Sequence, residues 1–122
     1  MKYLLQLAIT ITAVLFSFTA KSQTGIKGKL VYISCANAIV EIQDEKYFYL
    51  GQKEWQKDYA DSVLHNVFVV TNNCNFFSKN ITLGHTFFFT ILTELQANTE
   101  CVQCSMFERI PMARLNIEVV KK

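Results

Sequence analysis

The stretch NVFVVT at residues 66–71 is followed directly by Asn72-Asn73-Cys74-Asn75. Valine and phenylalanine favour the pleated, half-buried surface of a β-strand, and a cluster of asparagines is typical of a chain reversal. The stretch therefore predicts a strand that ends beside a cysteine.

Alternating lysines and apolar residues in GIKGKLVYIS, residues 25–34, predict the first strand. The short segment Cys35-Ala36-Asn37-Ala38 separates it from IVEIQ, residues 39–43, so the first two strands should form a hairpin. Three further strands are predicted, at residues 47–50 (YFYL), 86–92 (TFFFTIL) and 114–120 (RLNIEVV).

Residues 52–65 fit two structures. Trp55, Tyr59 and Val63 recur every four residues, which favours one face of a helix, whereas the many charges between them also suit a loop. Of the two, the helix is favoured. The strand order with one short helix predicts a mostly β fold, a small antiparallel OB-like barrel, with a β-sandwich as the alternative.

Residues 1–22 have the pattern of a secretory signal peptide. Lys2 precedes an uncharged apolar run at 4–18, and Ala20-Lys21-Ser22 supplies small residues at a cleavage site. An uncleaved membrane anchor is the alternative. Cleavage after Ser22 leaves one domain, residues 23–122, in the periplasm or outside the cell, with no stable membrane anchor.

The net charge of that domain limits the classes of partner that it can bind. The whole chain carries 12 basic and 10 acidic residues, and Lys2 and Lys21 leave with the signal peptide. The remaining domain is formally neutral and lacks the positive field that phosphate binding needs. We therefore expect a protein, peptide or glycan partner and no nucleic acid.

Four cysteines, Cys35, Cys74, Cys101 and Cys104, lie in the mature region. An even count in a small exported domain favours disulfides. Cys35–Cys74 with Cys101–Cys104 is the preferred pairing, and crossed pairings stay open because sequence does not fix the geometry. A redox dithiol at Cys101 and Cys104 is a second hypothesis. Zinc is disfavoured, since only one closely spaced cysteine pair exists.

No catalytic constellation is recognisable, and no cofactor or metal is expected. His65 and His85 have no motif around them that would activate a nucleophile. Aromatic residues that could face a ligand cluster in the middle of the chain, and filling of the core by the same rings is the simpler alternative. The candidates are Tyr47, Tyr49, Trp55 and Tyr59.

Short motifs follow one another along the mature region. They are Gly25-x-x-Gly28-x-Leu30, Cys35 before Val40-x-Ile42, Leu50-Gly51-x-x-x-Trp55, Val67-Phe68-x-Val70-Thr71-Asn72-x-Cys74, Gly84-x-x-Phe87-x-Phe89, Cys101-x-x-Cys104 and Ile117-x-Val119-Val120. The combination resembles small exported proteins of the Bacteroidota with a four-cysteine β-domain. The resemblance covers most of residues 25–120, and it implies export and a shared cysteine scaffold but no catalytic residue.

Together these features predict a disulfide-stabilised, exported β-domain that acts as a non-enzymatic binding or structural module. A thiol-disulfide protein that uses Cys101 and Cys104 is one alternative. A ligand-binding or inhibitor domain that uses the aromatic region from Tyr47 to Tyr59 is the other.

Overall fold

The computed structural model describes residues 25–93, 98, 100–102 and 104–122. The predicted signal peptide lies outside the described residues. Seven strands are present in the described part: β1 (Ile26–Ile33), β2 (Ala38–Ile42), β3 (Gln52–Trp55), β4 (Leu64–Val70), β5 (Thr86–Ile91), β6 (Arg114–Leu115) and β7 (Ile117–Lys121). A 3-10 helix, Glu45–Leu50, precedes β3, and a short α-helix, α1 (Asn73–Phe77), follows β4.

All seven strands belong to one sheet, with the order β3-β4-β2-β1-β5-β7, and β6 pairs with β4. Neighbours along this order are antiparallel, and β6 runs parallel to β4. The prediction of a mostly β, mostly antiparallel fold is confirmed, as is the hairpin of the first two strands.

The sheet is curled, because its last two strands are consecutive in the chain. β6 pairs with β4, whereas β7 pairs with β5 on the other side of the sheet. In a flat sheet about five strand spacings, roughly 24 Å, would separate β6 from β7. The single residue between them, Asn116, lets their ends lie at most about 7 Å apart. The two sides must therefore curl towards each other, although β3 and β7 remain the ends of the strand order.

Residues on β2 and β4 alternate between two apolar clusters, one on each face of the sheet. Phe68 and Val70 belong to the inner cluster, in which Phe68 lies 5.4 Å from Phe89 between ring centroids. Val67 and Val69 point the other way, into a second cluster that contains Trp55 and, at its border, Ile110. Because both faces are covered, β4 is apolar at every position from Val67 to Val70.

Two predicted elements are wrong. Residues 47–50 are part of the 3-10 helix, in which Gly51 N donates to Phe48 O over 3.1 Å. Residues 52–65, for which a helix was favoured, form β3, a loop and the start of β4. The helical pattern there fails because Tyr59 and Val63 are exposed, so the three residues share no buried face.

Helix α1 was not predicted, since its asparagines suggested only a turn. Asn72, just before it, is buried and makes two hydrogen bonds with the backbone of Ile117: its side chain donates to the carbonyl over 2.7 Å and accepts from the amide over 3.0 Å. These bonds hold the end of β4 against the start of β7.

Candidate functional site

The long connection between β5 and β6 is tied to the domain by two disulfides. Cys101 bonds to Cys74 in α1, and Cys104 bonds to Cys35 in the β1–β2 turn, residues 34–37. The Cα atoms of the two pairs are 5.5 and 5.7 Å apart, within the usual range for a disulfide. We call the described residues 98, 100–102 and 104–112 the clamped loop.

This connectivity corrects the preferred pairing. All four cysteines are bridged, as expected, but Cys35 pairs with Cys104 and Cys74 with Cys101. The β1–β2 turn and α1 are neighbours, since Asn73 Nδ2 donates to Ala36 O over 2.7 Å. The two loop cysteines, three positions apart, therefore reach two adjacent elements instead of each other.

A carboxylate fixes the middle of the clamped loop. Glu108 accepts hydrogen bonds from the Tyr32 hydroxyl (2.5 Å), the Ser34 hydroxyl (2.6 Å) and the Asn37 side-chain amide (2.8 Å). All three donors lie on β1 or in the β1–β2 turn. Ser34 Oγ also accepts from the Asn37 backbone amide over 3.0 Å, so the donors are themselves held in position.

The surroundings of Glu108 favour its ionised form. Burial raises the pKa of this carboxyl, but the hydrogen bonds from Ser34, Tyr32 and Asn37 and the charge of Lys57 outweigh burial and lower its pKa below the ordinary 4.5. Lys57 Nζ lies 4.6 Å from the centre of the Tyr32 ring. This contact with Tyr32 is the main cause that raises the pKa of Lys57. The loop is therefore held to the domain by a charged group as well as by disulfides.

The last part of the clamped loop packs against the outer face of the sheet. Ile110 contacts the second apolar cluster, and Pro111 is fully buried. The Met112 backbone amide donates to Gln52 Oε1 on β3 over 2.8 Å. These contacts explain why the loop ends at a defined position beside β4.

Between these anchors, the clamped loop exposes large apolar side chains. Phe107 is fully exposed, Val102 is 99% exposed and Met112 is 88% exposed. Met106 is half-exposed, with its Sδ 3.9 Å from Cys35 Sγ. Exposed apolar groups on a segment held at several points are typical of a protein-binding surface.

Phe107 and Met112 were not among the residues predicted to face a ligand. The available signal was the aromatic side chain three residues after Cys104, in a segment with no strand or helix periodicity.

The aromatic candidates do not form one ligand-facing surface. Tyr47 packs at the border of the inner cluster, and Trp55, 6% exposed, belongs to the second. Tyr49 and Tyr59 are exposed, Tyr59 almost fully. Trp55 lines a shallow depression with Tyr32 and Lys57, among others. The buried Nε1 of Trp55 has no hydrogen-bond partner within the part of the chain that the structure describes.

The hypothesis of a Cys101–Cys104 dithiol needs a bond between these two residues, and the structure places them in different bridges. Across residues 25–93, 98, 100–102 and 104–122, no group of three or more His, Cys, Asp or Glu side chains is arranged to hold a metal ion. Of the helices in the same residues, none combines the length and the apolar character needed to cross a membrane.

Comparison with protein-family models, with curated proteins and with solved structures finds no match to this chain.

Proposed function

We propose that this chain is an exported, non-enzymatic binding module, and that the clamped loop is its docking surface. The observation that carries the proposal is the combination of two disulfides and the Glu108 hydrogen bonds with three exposed apolar side chains on one segment. A loop that is already ordered loses little conformational entropy when it binds. Aromatic and methionine side chains are enriched at such interfaces.

Export is supported by the pattern of residues 1–22 and by the bridged cysteines, because disulfides persist in oxidising compartments. The resemblance to exported Bacteroidota proteins also supports export. The compartment that we propose for this chain is the periplasm or the extracellular space.

An OB-like arrangement supports the choice of surface. The strand order, the parallel pair β4–β6 and the helix between β4 and β5 are compatible with an OB-like curled sheet. In OB-folds, the loops after the first strand and before the last strand bind ligands. The corresponding segments here are the β1–β2 turn and the clamped loop, which Cys35–Cys104 joins.

Site-specific photo-crosslinking tests the docking surface. A benzophenone amino acid at Phe107 should crosslink one protein of the extracytoplasmic fraction, and an excess of unlabelled wild-type protein should suppress the adduct. Tyr59 is the matched control, because it is an equally exposed aromatic residue outside the loop. Equal adducts from positions 107 and 59, or no competed adduct from position 107, would contradict the proposal.

A further inference from the structure

We propose that the clamped loop is a substrate-like inhibitory segment for a serine endopeptidase that has an apolar primary specificity pocket, into which Phe107 inserts. This inference rests on the proposed docking function and adds the class of partner.

The chain around Phe107 runs without a reversal. Residues 104–111 contain no helix, turn or bend, and none of them has a positive φ. Endopeptidases of many kinds bind their substrates as extended segments, whose main chain hydrogen-bonds to the enzyme as an added strand. No helix or turn has to unfold before the segment around Phe107 can bind in this way.

Anchored side chains flank an exposed stretch in this segment. Cys104 and Glu108 are directed to the domain by a disulfide and by hydrogen bonds, and Ile110 by packing. Between them, Phe107 is fully exposed. The most exposed apolar side chain of residues 104–111 therefore projects from between two anchors, with the half-exposed Met106 beside it, and an apolar pocket is the site that takes a phenylalanine.

The anchors lie on both sides of the peptide bond between Phe107 and Glu108. On one side the Cys35–Cys104 bridge is three residues away. On the other side Glu108 itself bonds to Tyr32, Ser34 and Asn37. If this peptide bond is cut, both new chain ends stay where they were, at a high effective concentration.

The chemistry of such a segment is reversible. The enzyme's serine hydroxyl adds to the Phe107 carbonyl carbon and loses its proton to the enzyme's histidine, which passes the proton to the departing Glu108 nitrogen. The products are an ester at Phe107 and an amine at Glu108. Because Glu108 is held in place, this amine can attack the ester, re-form the peptide bond and regenerate the serine hydroxyl before water enters. Binding is then tight and net hydrolysis is slow.

The test uses the oxidised full-length mature protein with chymotrypsin and subtilisin as probes, and trypsin as the control for pocket specificity. We expect inhibition of the first two enzymes at sub-micromolar concentration and slow cleavage confined to the Phe107–Glu108 bond. Phe107→Ala should weaken inhibition by about 100-fold or more, the effect expected of a central anchor. Phe107→Arg should transfer inhibition to trypsin, and Tyr59→Ala should change nothing.

The outcomes separate this inference from the docking proposal. Rapid cleavage at Phe107–Glu108 without inhibition, or no inhibition of either probe, overturns the inference. Inhibition that survives Phe107→Ala also overturns it. If a competed adduct still forms from position 107, the docking function stands without the endopeptidase. If that adduct is also missing, both fail.

Discussion

Replacing Glu108 by glutamine perturbs the polar anchor of the clamped loop without changing its size. The carboxylate accepts three hydrogen bonds, from Tyr32, Ser34 and Asn37. Glutamine keeps one acceptor oxygen. Its other terminal group is an NH₂ donor in place of the second carboxylate oxygen, so it faces a group that donated to that oxygen. At least one of the three bonds must break, and the charge is lost.

The expected loss of stability follows from the number and exposure of these bonds. A hydrogen bond to a charged group contributes roughly 1.5–3 kcal/mol when it is well buried. Glu108 is only half-buried, so water replaces part of what is lost and we expect Glu108→Gln to reduce the free energy of unfolding by about 1–2 kcal/mol. For a domain of this size the corresponding fall in Tm is roughly 5–15 °C.

The effect should depend on pH, with a defined sign. Although burial acts in the opposite direction, hydrogen bonds and the charge of Lys57 lower the pKa of Glu108 below 4.5. A carboxyl with a lowered folded-state pKa stabilises the protein above its unfolded-state pKa, and this stabilisation is lost as pH falls through the folded-state value. The gap between wild type and variant should therefore be full near neutral pH and shrink below about pH 4.

Urea unfolding, followed by the fluorescence of Trp55 under non-reducing conditions, measures this gap at neutral and acidic pH. Trp55 is the only tryptophan and is buried. Glu100→Gln is the matched control, since it removes the same charge from an exposed position on the same loop. Equal stability of the two variants at neutral pH, or a gap that does not change with pH, would refute the reasoning.

Three further predictions concern the framework. A Cβ on Gly28 would lie 2.8 Å from Val40 Cγ1 and 2.9 Å from Phe89 Cε1, both in the core, so Gly28→Ala should cost about 1–3 kcal/mol in a urea titration; an unchanged midpoint would contradict this. Asn72→Ala leaves the buried backbone groups of Ile117 without their partners and should cost about 2–4 kcal/mol. Hydrogen exchange at Ile117 should accelerate by a matching factor, and unchanged exchange would count against the interaction. The cysteine separations are 69 and 27 residues, but the Cys74–Cys101 bridge lies within the larger loop and shortens the path from Cys35 to Cys104 to about 42 residues. Chain entropy therefore predicts losses of about 4.0 kcal/mol for Cys35→Ala with Cys104→Ala and about 3.6 kcal/mol for Cys74→Ala with Cys101→Ala. The reverse order in thermal unfolding would show that native-state contacts outweigh chain entropy.

Strands with strong apolar character were predictable from sequence, because their side chains determine local structure directly. The run at residues 66–71 became β4 (Leu64–Val70), and residues 86–92 became β5 (Thr86–Ile91). In β4 the apolar residues 67–70 fill clusters on both faces of the sheet, and in β5 Phe87 and Phe89 fill the inner cluster. The end of the chain also followed its alternation, although Asn116 divides it into β6 and β7.

Elements whose structure depends on distant partners were not predictable. Asn72 precedes a helix in a position set by the backbone of Ile117, 45 residues away. The periodicity of Trp55, Tyr59 and Val63 suggested a helix, but only Trp55 finds an apolar partner surface. Local pattern alone did not show which of these residues has a neighbour in the fold.

The clamped loop was the least predictable part. Spacing favoured a bridge between Cys101 and Cys104. The fold instead places Cys35 and Cys74 on neighbouring elements, where Cys35 pairs with Cys104 and Cys74 pairs with Cys101. The role of Glu108 depends on three donors at least 71 positions away in sequence. Phe107 becomes noticeable only once its neighbours are known to be anchored.

The pattern of disulfide bonds is the most direct test of the clamped loop, because the docking proposal requires the loop to be tied to two different elements. The non-reduced protein can be denatured, digested with thermolysin, which cuts before Val102 and so separates Cys101 from Cys104, and mapped by mass spectrometry. We predict linked peptides that contain Cys35 with Cys104 and Cys74 with Cys101. A peptide pair joining Cys101 to Cys104, or Cys35 to Cys74, would contradict the clamped loop and the function proposed for it.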